Sequence, residues 1–370
     1  MLKLTLVLLI FYTIPALATK ARIQSLGNSF HLIDTQSVFK KPIDLIYLNP
    51  LVSFESGVTN ATTLIDGAEG FVSYSLNDKT QLGFALGHQD EAIVTSRTFM
   101  NAIVGAATYE MSQNPVHFFY AIKDSLTSYS LGGFYSNKED KLNGLTESSA
   151  GASFGLELGN WQFNTIYTLV NSVEAAAGKK FDGKGYSNSS VSYLLDETLF
   201  RFSYLISDAK SYTNAVENEF HRIESVTLGL VDSNLKEDNT FFWSAEIIST
   251  AVKCKVNTTA YCNEVFTSTS LPFLLGIEAR ANDWITLRSS IKQIFLVSVI
   301  KDELGYPTGS TAGATGARQD VTSTENSTVM TLGMGLNFNK VSIDGTFTTN
   351  TTQVFNFNTF LSQVGVTYQF

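Results

Sequence analysis

The sequence predicts an all-β fold: a transmembrane antiparallel β-barrel of sixteen strands, with fourteen as the alternative, joined by short periplasmic turns and long extracellular loops. Three observations lead there. Segment after segment alternates apolar residues with polar ones or glycine at the two-residue period of a strand. Every second connection between those segments is short. No stretch after residue 18 has the roughly 18 consecutive apolar residues of a membrane helix. A chain that repeats a greasy strand face without such a helix can cross a bilayer by closing into a barrel, because closure pairs every backbone group.

The first element is "MLKLTLVLLIFYTIPALA", residues 1–18. One positive charge at Lys3, an apolar run and the small-x-small ending Ala16-Leu17-Ala18 are the marks of a signal peptide, so cleavage before Thr19 and export are expected. Loss of Lys3 takes the formal charge from -9 to -10. A surface of that sign repels phosphates and argues against nucleic acid as a partner. Residues 19–45 are expected as a periplasmic or lumenal segment, and residues 46–370 as the barrel.

Strands are expected at approximately 46–55, 68–77, 80–88, 116–123, 126–136, 147–158, 161–173, 187–195, 198–208, 220–231, 240–252, 271–281, 284–298, 326–338, 340–349 and 361–370. In "TLFRFSYLIS", Phe200, Phe202, Tyr204 and Ile206 oppose Arg201, Ser203 and Ser207. Tight links fall at Asp78-Lys79, Lys123 to Ser125, Gly159-Asn160, Asp196-Glu197, Asn282-Asp283 and Asn339-Lys340, with one longer link at 232–239. Several carry the Asn, Asp or Gly that hairpins prefer. The ambiguous "SNSSVSYLLDE" is read as a strand because the alternation of loop lengths needs one there. Trp161, Trp243 and Trp284 follow expected periplasmic turns, where an aromatic girdle lies, although Trp284 is out of phase with its strand and belongs to the turn or the lumen.

The chain ends "QVGVTYQF", which resembles the sorting signal of bacterial outer-membrane barrels, with Gln363, Gly365, Tyr368 and Phe370 at the matching positions. The resemblance implies recognition by the barrel-assembly machinery and an outer-membrane location, surrounded by outer-membrane lipid. The segment "ARIQSLGNSFHLIDTQSVFKKPIDL" resembles the start of porin-like major outer-membrane proteins of predatory proteobacteria and, more distantly, the FadL-like superfamily. Leu26-Gly27-Asn28, Asp34, Phe39 and Pro42 carry the likeness, and "NPVHFFYAIKD" from Asn114 is a second shared block. The superfamily resemblance implies a segment tucked into the barrel as a hatch. Where that superfamily has Asn-Pro-Ala, Lys41-Pro42-Ile43 stands here, a departure that weakens the implication of hydrophobic transport.

The inward phase carries eight charges, Glu157, Arg201, Glu246, Glu278, Arg280, Arg288, Lys292 and Asp344, which are read as pore-lining. Opposed acidic and basic walls would set up a transverse field in a wet channel; the alternative is ordinary wall charge satisfied by water. Glu278 and Arg288 flank a turn at nearly equal distances and are placed to pair across it. Four acids balance four bases, which predicts at most weak ion selectivity. The loop at 89–112 has apolar residues at helical and alternating spacing and is expected either inside the barrel or across its mouth; the Gly- and Thr-rich loop at 301–320 reads as solvent-facing.

Cys254 and Cys262 share one expected outer loop, and an oxidising compartment predicts a disulfide between them. His31, His88, His117 and His221 fit no catalytic or metal-ligand spacing, so neither an enzyme nor a metal or cofactor site is expected. His88 and His117 flank one loop and could approach each other. The expected function is passive diffusion of small hydrophilic solutes through a porin, whose size class suggests a homotrimer. The alternatives are a FadL-like transporter of hydrophobic molecules and a plugged structural or surface-recognition barrel.

Overall fold

A strand with Phe, Leu and Tyr on one face and Ser, Thr and Gly on the other satisfies neither water nor lipid on both sides. A sheet of such strands resolves the conflict by curling until its edges meet, with the apolar face outward. The computed structural model describes residues 19–57, 68–91, 93–94, 96–97, 115–140, 144–175, 178–183, 185–214, 216–236, 239–256, 265–297, 300–301, 320–321, 327–350 and 363–370. Among these, sixteen strands close into one antiparallel barrel.

In chain order they are β1 (Leu51–Gly57), β2 (Glu69–Asn77), β3 (Thr80–Leu86), β4 (Val116–Ile122), β5 (Thr127–Asp140), β6 (Leu145–Leu158) and β7 (Trp161–Ala175). The eighth, β8, comes in two pieces, Lys179–Asp182 and Ser187–Leu195, both lying between β7 and β9. There follow β9 (Thr198–Thr213), β10 (Val216–Lys236), β11 (Asn239–Val256), β12 (Val265–Asn282), β13 (Ile285–Leu296), β14 (Ser327–Phe338), β15 (Val341–Asn350) and β16 (Gln363–Gln369). Each strand pairs with its neighbours in sequence, and β1 meets β16 from Leu51 opposite Gln369 to Gly57 opposite Gln363. That last ladder closes the sheet.

The faces sort as the alternation requires. Phe54, Tyr74, Phe118, Leu131, Phe202, Leu228, Leu287 and Tyr368 are exposed outside, while Ser53, Ser73, Ser130, Ser203, Ser290, Thr331 and Thr367 are buried inside. Trp161 and Trp284 are exposed, and Trp284 sits in the turn before β13, where its N–H and that of Ile285 donate to Asn282 Oδ1 at 3.0 and 2.8 Å.

Several boundaries differ from the sequence reading. The first strand starts at Leu51 rather than residue 46, because Pro42–Tyr47 form a 3-10 helix that buries Ile43, Leu45 and Ile46. Pro42 opens that helix with the fixed φ a first helical residue needs. The expected longer link at 232–239 is instead ladder, with Lys236 opposite Asn239. The strands β9 to β12 also run past their expected outer ends. There the outward face turns polar, as in the Asp208–Arg222 pair at 2.6 Å, so the apolar signal stops at the membrane edge although hydrogen bonding continues.

Residues 19–50 lie within the barrel. Helix α1 (Lys20–Ser25) is capped by the Thr19 side chain, which accepts from Arg22 N–H at 3.2 Å. It stops at Leu26-Gly27-Asn28: Gly27 N–H donates to the Gln24 carbonyl at 3.0 Å and Asn28 N–H to that of Ile23 at 2.9 Å. This is the Schellman pattern, and Gly27 takes the left-handed φ of 69° it requires. Helix α1 packs on β13 to β16; the 3-10 helix packs on β3 to β6, with the short α2 (Ser37–Lys40) before it. The segment therefore crosses the lumen from one wall to the other.

Two apolar clusters seat it. One joins Val38, Phe39, Ile43, Leu45 and Leu48 to Phe71 and Phe119; the other joins Leu26, Leu32 and Phe30 to Val231, Phe242 and Leu274. Inward glycines make the close approach feasible. A Cβ on Gly365 would lie 2.5 Å from Thr19 and one on Gly155 2.8 Å from Ile43, contacts real side chains do not make.

Candidate functional site

The inward charges divide into a locked set and an unlocked set. Arg22 of α1 reaches Glu278 on β12 with two bonds, Nε to Oε2 at 2.8 Å and Nη2 to Oε1 at 3.1 Å. Glu278 stands opposite Arg288 on β13, and Arg288 Nε donates to Glu278 Oε2 at 2.6 Å, the cross-turn pair that equal spacing suggested. Arg288 Nη1 continues to Asp344 Oδ1 at 2.5 Å, and Thr19 Oγ1 donates to Asp344 Oδ2 at 3.0 Å. Two acids and two arginines thus form one neutral, buried chain between the segment and β12, β13 and β15. Buried charges are tolerable when each is paired and hydrogen-bonded as here.

Two more sequence-derived charges are also engaged. Tyr47 donates its hydroxyl to Glu157, tying the 3-10 helix to β6. Arg280 lies in the exposed turn region and pairs with Asp283 at 3.2 Å, away from the buried chain. The remaining three, Arg201, Glu246 and Lys292, are half-buried and make no ion pair with one another among the described residues. Glu246 and Lys292 line one polar cleft with Gly27, Asn28, Ser29, Phe30, Ser244, Pro272 and Leu274. Arg201 places its guanidinium 5.3 Å from the centre of the Phe30 ring.

The loop after β3 enters the barrel as far as it is described. Arg97 is fully buried: Nη2 donates to Glu147 Oε1 at 2.9 Å and Nε to Asn171 Oδ1 at 2.8 Å, on β6 and β7. Ser136 Oγ holds the other Glu147 oxygen at 3.0 Å, and Asn171 Nδ2 returns to Ser96 Oγ at 2.8 Å. Substituting Arg97→Ala leaves Glu147 buried without its cation, a change worth about 3–5 kcal/mol in dry interiors. The expected outcome is rapid proteolysis within 88–115 while the barrel stays folded; a loop as resistant as the native one would contradict this anchoring role.

Loop and segment also touch each other. Lys40 Nζ meets Glu91 Oε2 at 2.7 Å, which holds the Glu91 carboxyl below its ordinary range. Phe39 stacks on His88 with centroids 3.4 Å apart, and His88 Nδ1 lies 2.9 Å from Glu69 Oε2. The rings of His88 and His117 come within 5.4 Å, the approach their positions suggested. His31 packs edge-on against Phe242, and burial pushes its imidazole down to about 3, so it is neutral at ordinary pH. No group of three or more metal-ligating side chains occurs among the described residues. Of the expected disulfide, Cys254 contributes backbone to the β10–β11 ladder opposite His221, and Cys262 lies outside the described residues, as do residues 1–18.

Sequence reasoning missed Arg22, Thr19 and Arg97. Thr19 and Arg22 belong to a helix too short to show a period and Arg97 to a loop, and the Arg22–Glu278 partners are 256 positions apart. The lone signals were an arginine in the apolar-rich segment and one in a loop.

An antiparallel barrel with an apolar exterior, a polar interior and its own N-terminal segment across the lumen defines the class: a transmembrane β-barrel with an internal plug. No protein-family model matches the chain. No curated protein matches it either. Among solved structures it is similar to an outer-membrane-expressed OmpT of Vibrio cholerae, at 9% identity and a TM-score of 0.40, over 87% of this chain and 96% of that one. It is likewise similar to a Pseudomonas aeruginosa FadL homologue, at 11% identity and a TM-score of 0.41, over 93% and 96% of the two chains. A structure described as a porin shares 9% identity at a TM-score of 0.40, over 86% and 99%.

Proposed function

We propose that the chain is an outer-membrane porin that passes small hydrophilic solutes, its lumen narrowed by residues 19–50 and by the loop after β3. The observation that supports this best is the polar cleft beside the plug, flanked by Glu246 and Lys292. The greasy contacts point away from hydrophobic transport: the cluster of Val38, Phe39, Ile43, Leu45, Phe71 and Phe119 is filled by its own side chains. The same reading places membrane lipid around the exposed Val366, Tyr368 and Phe370, and gives Gln363, Gly365, Tyr368 and Phe370 to assembly.

A second reading has one observation in its favour. The segment touches opposite walls, which suits a barrel that is closed and serves structure or surface recognition. Conductance of the purified protein in a planar bilayer separates the two. Stable steps of porin size are expected; silence from protein whose strand content is intact would remove the channel and leave the plugged barrel.

A further inference from the structure

Of the eight inward charges, the three whose side chains have neither an ion-pair nor a hydrogen-bond partner among the described residues, Arg201, Glu246 and Lys292, gather on one side of the lumen. Arg201, Gly229 and Glu246 form a row across β9, β10 and β11, since Arg201 stands opposite Gly229 and Gly229 opposite Glu246. The missing side chain at Gly229 makes room: a Cβ there would meet Phe30 and Glu246 at 3.2 Å each. Lys292, opposite Leu274, faces the same cleft from β13.

Pro272 lies between them on β12. It has no N–H, and the β11–β12 ladder skips Glu246 and Ile247 where they face it, resuming at Ala245–Phe273 and Ile248–Ser270. Proline in a central strand normally argues against the strand itself. Here it adds an apolar surface and a break in backbone pairing beside Glu246 and Lys292. The cleft is narrow and open to solvent, with about 240 Å³ of non-atom space that includes that solvent.

We propose that this cleft is a binding subsite for small zwitterions of the α-amino acid type. The carboxylate of Glu246 takes the ligand ammonium, Lys292 takes the carboxylate, and the apolar part lies against Phe30, Pro272 and Leu274. A single ion is attracted by one wall and repelled by the other, whereas a zwitterion satisfies both. The proposal rests on the channel reading and names its solute class.

The test is equilibrium binding to the full, detergent-solubilised protein, with L-alanine as probe against lactamide, its uncharged analogue, and against acetate and methylammonium as single ions. L-Alanine is expected to bind at least tenfold more tightly than all three. Glu246→Gln and Lys292→Gln are each expected to remove that preference, and Arg280→Gln, on the exposed turn, to keep it. Equal binding of L-alanine and lactamide overturns the proposal, as does a preference that survives in both cleft variants. Comparison of the four probes on the native protein decides the matter should a variant fail to fold. Binding needs no conducting pore: silence in the bilayer with the preference intact removes the channel alone, and conduction without preference removes the subsite alone.

Discussion

Arg22→Leu is expected to free the N-terminal segment from β12 and raise single-channel conductance. In the native barrel Arg22, Arg288, Glu278 and Asp344 sum to zero charge, and the side chains of Arg22 and Glu278 are only 11% and 9% exposed. Removing Arg22 leaves two carboxylates sharing Arg288. Breaking one partner of a buried pair costs about 3–5 kcal/mol in dry interiors. Even the low end shifts the docked-to-released ratio on the order of 100-fold. Trypsin should then cut readily after Lys40, in the part of the segment that docking holds against β3 to β7.

The charge argument makes a sharper demand of the double variant. With Glu278→Gln added, the remaining Arg288–Asp344 pair is neutral again, so docking should recover most of the loss. Glu278→Gln alone leaves two arginines on one carboxylate and should release the segment too. A double variant as leaky as Arg22→Leu would show that lost packing, not unbalanced charge, opens the barrel. A single variant with native conductance and native protease resistance would remove Arg22 from the anchoring role altogether.

What the sequence made legible follows from periodicity. The two-residue rhythm places "TLFRFSYLIS" as β9 with Arg201 and Ser203 inward, and β9 and β15 match it residue by residue where they cross the membrane. Glu278 and Arg288 were readable as a pair because a tight turn fixes register, and register fixes who faces whom. The rhythm fails where one face no longer differs from the other. Beyond Ile206 the outward face of β9 turns polar with Asp208 and Lys210, so its last residues looked like loop. The apolar run Ile46 to Leu48 looked like a strand start because a buried 3-10 helix is as greasy as a strand. The glycines of the inner face were visible as glycines, yet their purpose was not. Only in the folded barrel does Thr19 lie against Gly365 and Ile43 against Gly155.

Docking of the segment is also expected to tighten as pH falls, through Asp34. Its Oδ1 accepts the N–H groups of Gln36 and Ser37 at 2.8 and 2.9 Å, while Oδ2 is buried with no hydrogen-bond partner among the described residues. Burial pushes this carboxyl up from 3.8 to about 7, against the pull of Arg22 and of those two N–H groups. The docked form therefore holds a proton between about 3.8 and 7 that the released form has lost. By linkage, docking gains as pH falls from about 7, the gain is complete near 3.8, and above 7 it is absent and the curve is flat. Going from pH 8 to pH 5 is worth on the order of 100-fold in the docked-to-released ratio. Trypsin cleavage after Lys40 should slow accordingly, after correction for the enzyme's own pH profile on a denatured substrate. Asp34→Asn keeps the Oδ1 acceptor and cannot ionise, so its docking should lose this dependence and match the native protein at low pH. Native and Asp34→Asn proteins with the same slope between pH 8 and pH 5 would place the proton elsewhere.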